Sequence, residues 1–144
     1  MVGIGVPIEN VEEVSDKLRD ALVEGRLGAS LTITVEAVSK GYEHENVRIR
    51  LGEVVVGSKV EVVVESTENH KTVIINVENE VLPVRALRVF VDNVEMGLAD
   101  DYADVLDPTN ENVPEYLILV GGKGIQVLVS IPYFSGRVIT IRAP

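Results

Sequence analysis

Near the amino terminus, apolar residues fall at Val11, Val14, Leu18, Ala21 and Leu22. This three- and four-residue spacing gathers them on one stripe of a helix. Asn10 can accept an orphan backbone N–H at the start, and Glu13, three residues on, completes a box-like cap. Glu12, Glu13 and Asp16 lie in the early turns, where the helix dipole favours anions, and Gly25 or Gly28 can end the helix. Lys17, Arg19, Asp20 and Glu24 occupy the opposite face, so the segment is expected to pack on one side and be solvated on the other.

After Gly28 the period changes to two. Leu31, Ile33, Val35 and Ala37 alternate with Thr32, Thr34 and Glu36; Val47, Ile49 and Leu51 alternate with Arg48 and Arg50. Val60, Val62 and Val64 alternate with Lys59, Glu61 and Glu65, and Val73, Ile75 and Val77 with Thr72, Asn76 and Glu78, where Ile74 breaks the rule. Leu87, Val89 and Val91 sit opposite Arg88 and Asp92; residues 116–120, 125–131 and 138–141 complete the set. Such short β-branched runs predict about eight or nine strands at the spacing of a sandwich or barrel. Alternation implies one buried and one wet face, as in antiparallel sheets. No second long helical pattern supplies the crossovers of a parallel α/β sheet. The expectation is a mainly β chain: an antiparallel β-sandwich with one amino-terminal amphipathic helix. Residues 1–144 then form a single domain, with 1–28 the helical segment and 29–144 the sandwich.

Turn chemistry supports this reading. Gly57-Ser58 suits a two-residue hairpin between Val54–Val56 and Lys59–Val64, and Gly121-Gly122-Lys123-Gly124 suits one between residues 116–120 and 125–131. The unbroken runs Val54–Val56 and Val62–Val64 suggest a hairpin partly covered on both faces. Residues 93–114 read as an irregular connection, with a helical turn around Asp100–Asp107 ended by Pro108.

That connection also holds the most concentrated oxygen donors. Asp100, Asp101, Asp104 and Asp107, followed by Asn110, Glu111 and Glu115, are the candidate metal ligands, and calcium is the ion such hard oxygens would take. The spacing is not that of an EF-hand, and Asp also forms turns and caps. The glycine run precedes a strand rather than a helix, which disfavours a phosphate loop. His44 and His70 lie in polar segments and are expected in exposed turns. Ser66, Ser130 and Ser135 belong to no nucleophile elbow, so no catalytic residue is assigned. Tyr102, Tyr116, Tyr133 and Phe134 cluster late in the chain, as core residues or as a contact patch.

Composition narrows the classes. The 46% apolar fraction is too high for a disordered chain, and the absence of Cys removes disulfides, thiolate catalysis and iron–sulfur clusters. A formal net charge of -10 argues against nucleic acid, and no apolar run is long enough for a membrane helix. No cofactor beyond possible calcium is implied. The partners expected are another protein or a second copy, met through strand edges. With Met1 as the native start, the lack of a signal-like segment points to the cytoplasm; as a piece of an exported chain, it points to the cell surface.

The carboxy-terminal half carries a resemblance. Residues 100–108, Asp-Asp-Tyr-Ala-Asp-Val-Leu-Asp-Pro, are followed by Pro114-Glu115-Tyr116-Leu117 and by residues 124–135, Gly-Ile-Gln-Val-Leu-Val-Ser-Ile-Pro-Tyr-Phe-Ser. Over residues 72–142 the chain resembles a β-sandwich module of archaeal secreted and cell-surface proteins of unassigned function. The resemblance implies an extracytoplasmic, non-enzymatic module and assigns no functional residue.

Overall fold

The alternating runs become strands because each hides one row of side chains in a shared apolar layer. The computed structural model describes residues 6–7, 18–83, 87–107, 112–134 and 136–143. The expectations placed on Asn10, Val11, Glu12, Glu13, Val14, Asp16 and Lys17, and on Pro108, Asn110, Glu111 and Ser135, lie outside these residues, as does the Tyr102 side chain.

The larger sheet runs β1 (Val6–Pro7), β10 (Glu115–Val120), β11 (Gly124–Ile131), β6 (Lys71–Glu78), β2 (Leu27–Ile33), β3 (Val38–Glu43), with β9 (Gly97–Leu98) also on β10. The smaller runs β4 (Val47–Val55), β5 (Lys59–Ser66), β12 (Arg137–Arg142), β7 (Arg88–Val91), β8 (Val94–Glu95). Leu31 and Ile33 of β2, Ile75 and Val77 of β6, and Val127 and Val129 of β11 share one buried cluster with Val62 of β5, Val89 of β7 and Ile139 of β12. The mainly β character and the two-sheet layering follow the sequence reading.

The strand directions need a correction. Every pair in the smaller sheet is antiparallel. The larger sheet is mixed, with parallel pairs β1–β10, β9–β10 and β2–β6. A parallel pair requires a long crossover, but not a helical one. Between β2 and β6 the chain passes through β3 and then through β4 and β5 of the opposite sheet.

The larger sheet is also buried over part of its outer face. Ile74, the residue that broke the alternation, packs there with Leu27, Leu117, Leu119 and Leu128. Ala21 of helix α1 (described over residues 18–23) and Val105 and Leu106, at the end of α2 (Tyr102–Val105), cover this layer. Gly25, not Gly28, terminates α1. It adopts the left-handed region at φ 73°. The Arg26 N–H then donates to the Ala21 carbonyl at 2.8 Å, and the Gly25 N–H to Leu22 at 3.2 Å, the paired closure that satisfies the last carbonyls. Strand β2 therefore starts at Leu27, ahead of the 28/29 boundary read from the sequence. Leu22, expected on the packed stripe, is exposed.

Hairpins differ in detail. Val55 pairs with Lys59, so the β4–β5 turn holds the three residues Val56–Ser58 rather than two. Val55 and Val56 are exposed, so this hairpin is not covered on both faces there. The irregular connection contains β8 and β9 as well as α2. Asp92 and Asn93, at φ 52° and 67°, form the tight turn into β8.

Candidate functional site

Strands β3 and β4 follow one another in the chain and form the end strand of different sheets, so two sheet edges lie along one flank. Near their connecting turn the edges are occupied. Glu43 Oε2 accepts the Ile49 N–H of β4 at 2.8 Å, and Arg48 Nη1 donates to the carbonyls of Val47 at 2.8 Å and Glu45 at 3.2 Å. The Ile49 N–H, aided by Lys40, holds the Glu43 carboxyl below its ordinary range. Further along β4 the register shifts between Leu51 and Glu53, a bulge at Gly52. Side-chain occupation and a bulge are both devices that blunt a strand edge.

Around the bulge, β4 faces the β2–β3 turn and Val38, the first residue of β3. The corner between them is a cleft of 430 Å³ lined by Val35, Val38, Leu51, Val54, Val56 and Val81 among others. Val35 is 53% exposed, Val38 41% and Val56 62%, which makes this a cluster of uncovered aliphatic side chains. Thr34 and Glu36 are its polar lining residues. Thr34 is engaged locally: its N–H donates to the Ala37 carbonyl at 2.9 Å, and its Oγ1 accepts the Ala37 N–H at 3.0 Å. Lys59, on the adjoining strand, pairs with Glu53 at 3.0 Å.

The acidic stretch is built as a cap. Asp101 Oδ1 accepts the Asp104 N–H at 2.8 Å, while Asp104 Oδ2 accepts the Asp100 N–H at 3.0 Å. The first bond satisfies an orphan donor of α2, and the second folds the Asp104 side chain back onto the residue before the cap. The helix is anchored from below: Thr72 Oγ1 donates to the Val105 carbonyl at 2.7 Å, and Arg26 Nη1 donates to that of Leu106. Asp107 closes the turn by donating its N–H to the Asp104 carbonyl at 3.0 Å. Glu115 lies in β10, paired with Ser130. Among the described residues, no three His, Asp or Glu side chains gather into a metal-ligand set.

The histidines separate. His44 is half-buried rather than exposed; its Nδ1 lies 3.1 Å from Glu68 Oε2 without making a hydrogen bond, and Asn46 Nδ2 donates to that oxygen at 3.3 Å. His70 holds a left-handed turn at φ 57°, and its ring stands 5.7 Å from that of Tyr133. The late aromatics do not form one patch: Tyr116 is in the core, where burial pushes its hydroxyl up to about 12, while Tyr133 is at the surface. Ser66 Oγ donates to the Glu68 carbonyl at 2.7 Å, and buried Ser130 Oγ to that of Glu115 at 3.4 Å. The glycine run is a hairpin, closed by the Gly121 N–H on the Gly124 carbonyl at 2.8 Å.

Two side-chain arrangements had no signal in the sequence because they depend on strand pairing. Arg88 donates twice to Glu95, at 2.6 and 3.0 Å, and with Arg142 it flanks the Phe90 ring, the two guanidinium carbons 5.5 and 5.2 Å from its centre. On the outer face of the larger sheet, Gln126 donates to Asn76 at 2.9 Å and Asn76 to Thr32 at 3.4 Å, a polar row across three strands. Comparison with known protein families, curated proteins and solved structures finds no match to this chain.

Proposed function

We propose that this chain is a non-catalytic binding or structural module, a β-sandwich with an amino-terminal amphipathic helix, serving as one piece of a larger assembly. The observation that carries the reading is the β3–β4 flank, where two end strands open onto uncovered valines. Polar side chains of the types used in chemistry also have local structural work: Asp101 and Asp104 cap α2, and Ser66 and Ser130 bond backbone carbonyls. The resemblance of residues 72–142 supports a place at the cell surface. The net charge of -10 supports a protein partner over nucleic acid. Calcium binding by residues 100–115 is the alternative, and an ion there would compete with the backbone N–H groups that Asp101 and Asp104 already accept.

The test is a photo-crosslinking residue at Ser39 on β3, with Glu65 on β5 as the control position, in the protein's native setting. Protein adducts from Ser39 and not from Glu65 are expected. Adducts from the control alone, or saturable turnover in a hydrolase substrate screen, would overturn the reading.

A further inference from the structure

We infer that the corner cleft between β3 and β4 receives a short extended segment of another protein, apolar on one side and basic on the other. The inference rests on the binding-module reading and names the partner it would take. Three observations shape it.

The first is the lining. Val35, Val38, Leu51, Val54 and Val56 present aliphatic side chains to a 430 Å³ space, and the most exposed of them gain most by being covered. The second is the flanking backbone. The cleft is bordered by two sheet edges, so an occupant in strand conformation meets backbone donors and acceptors as well as side-chain pockets. Glu43 and Arg48 occupy the edge nearer the turn and the Gly52 bulge bends it, so strand addition cannot run the length of β4 and the seated segment is short.

The third is charge. Among the described residues that line the cleft, Glu36 is the one that carries a charge, and on the adjoining strand the Lys59 ammonium is engaged by Glu53. The lining therefore carries one negative charge and no positive one, on a chain of net charge -10. A second copy brings the same charge and is repelled; a segment bearing Lys or Arg beside its apolar residues is attracted.

The experiment uses a synthetic peptide alternating valine and lysine, with valine–glutamate and serine–lysine peptides of equal length, each titrated into the isotopically labelled chain. The valine–lysine peptide is expected to saturate, with amide shifts confined to residues 33–38 and 51–57. The two control peptides are expected to bind at least about tenfold more weakly. A Val38→Ser, Val56→Ser double variant should lose about tenfold in affinity for the valine–lysine peptide while keeping its melting temperature, because both side chains are already exposed. Failure of the valine–lysine peptide to saturate overturns the inference, as does equal binding of either control. Shifts mapping to another strand edge overturn the corner assignment and leave the module reading standing. A concentration-dependent dimer abolished by the double variant gives the corner to a second copy instead.

Discussion

Replacing Ile74 with alanine tests whether the larger sheet is dry on both faces. Simple alternation makes position 74 an outward residue of a half-wet strand, where truncation costs little. In the structure Ile74 is 4% exposed and lies between β2 and β11, beneath the layer that includes Ala21 and Leu106. Ile74→Ala removes three carbons, and at about 0.8 kcal/mol for each buried methylene the lost transfer energy is about 2.4 kcal/mol. The space left between a sheet and a helix collapses only in part, which raises the expected loss to about 3–4 kcal/mol. For a chain of this size that corresponds to a fall in melting temperature of about 6–16 °C. Urea unfolding followed by circular dichroism gives the free energy, with the slope expected to be unchanged. Val35→Ala, at an exposed site in the β2–β3 turn, should stay within about 0.5 kcal/mol. A loss below about 1 kcal/mol at Ile74, at unchanged slope, would mean that the outer face is wet and that α1 and α2 do not cover it.

Other expectations follow from single contacts. A Cβ on Gly124 would fall inside contact distance of the Val77 carbonyl and 2.9 Å from the Glu78 Cα, so Gly124→Ala should cost about 1–3 kcal/mol by forcing β6 and β11 apart, read by the same unfolding curves. Asp101→Ala removes the α2 cap and should cost about 1 kcal/mol. Calcium at millimolar concentration should leave the wild-type melting temperature unmoved, and a saturable rise that Asp101→Ala abolishes would favour the calcium alternative. The Arg88 hydrogen bonds hold the Glu95 carboxyl down to about 2. Because that value lies below the unfolded one, the pair's stabilisation is present above the ordinary carboxylate range and fades as pH falls toward 2. A carboxyl NMR titration should show the low midpoint, and Arg88→Gln should return it toward the ordinary range; an unchanged midpoint in the variant would remove Arg88 as the cause.

Much of the layer plan was legible because it is written in side-chain alternation. Val60–Val64, Val73–Val77 and Val127–Ile131 bury the rows that the period of two assigned to the core. Strand β3 was not legible. Val-Ser-Lys-Gly-Tyr-Glu lies at an edge with both faces largely in water, so no burial constraint imposes alternation on it. Ile74 looked like an error in the pattern because the periodicity of one strand does not reveal a second cover supplied by α1 and α2. The parallel β2–β6 pairing was hidden for a related reason: strand direction is set by a route through the other sheet, which no local window contains. At the candidate surface, the valines of the β4–β5 hairpin were visible as a run, but their exposure was not. Covering both faces and covering neither produce the same string of letters. The acidic stretch was found by composition, and its capping geometry depended on which backbone N–H groups a short helix leaves orphaned.

The position of β12 in the smaller sheet bears on how the chain is made. It is the middle strand, pairing β5 on one side and β7 on the other, yet it is the last strand in sequence among them. During synthesis the ribosome delivers the β4–β5 and β7–β8 hairpins first, and they have no direct pairing with each other. Until residues 137–142 emerge, the nascent chain holds two separate ribbons with apolar faces and open seams, so protection from other nascent chains at that stage depends on the last-made strand arriving promptly.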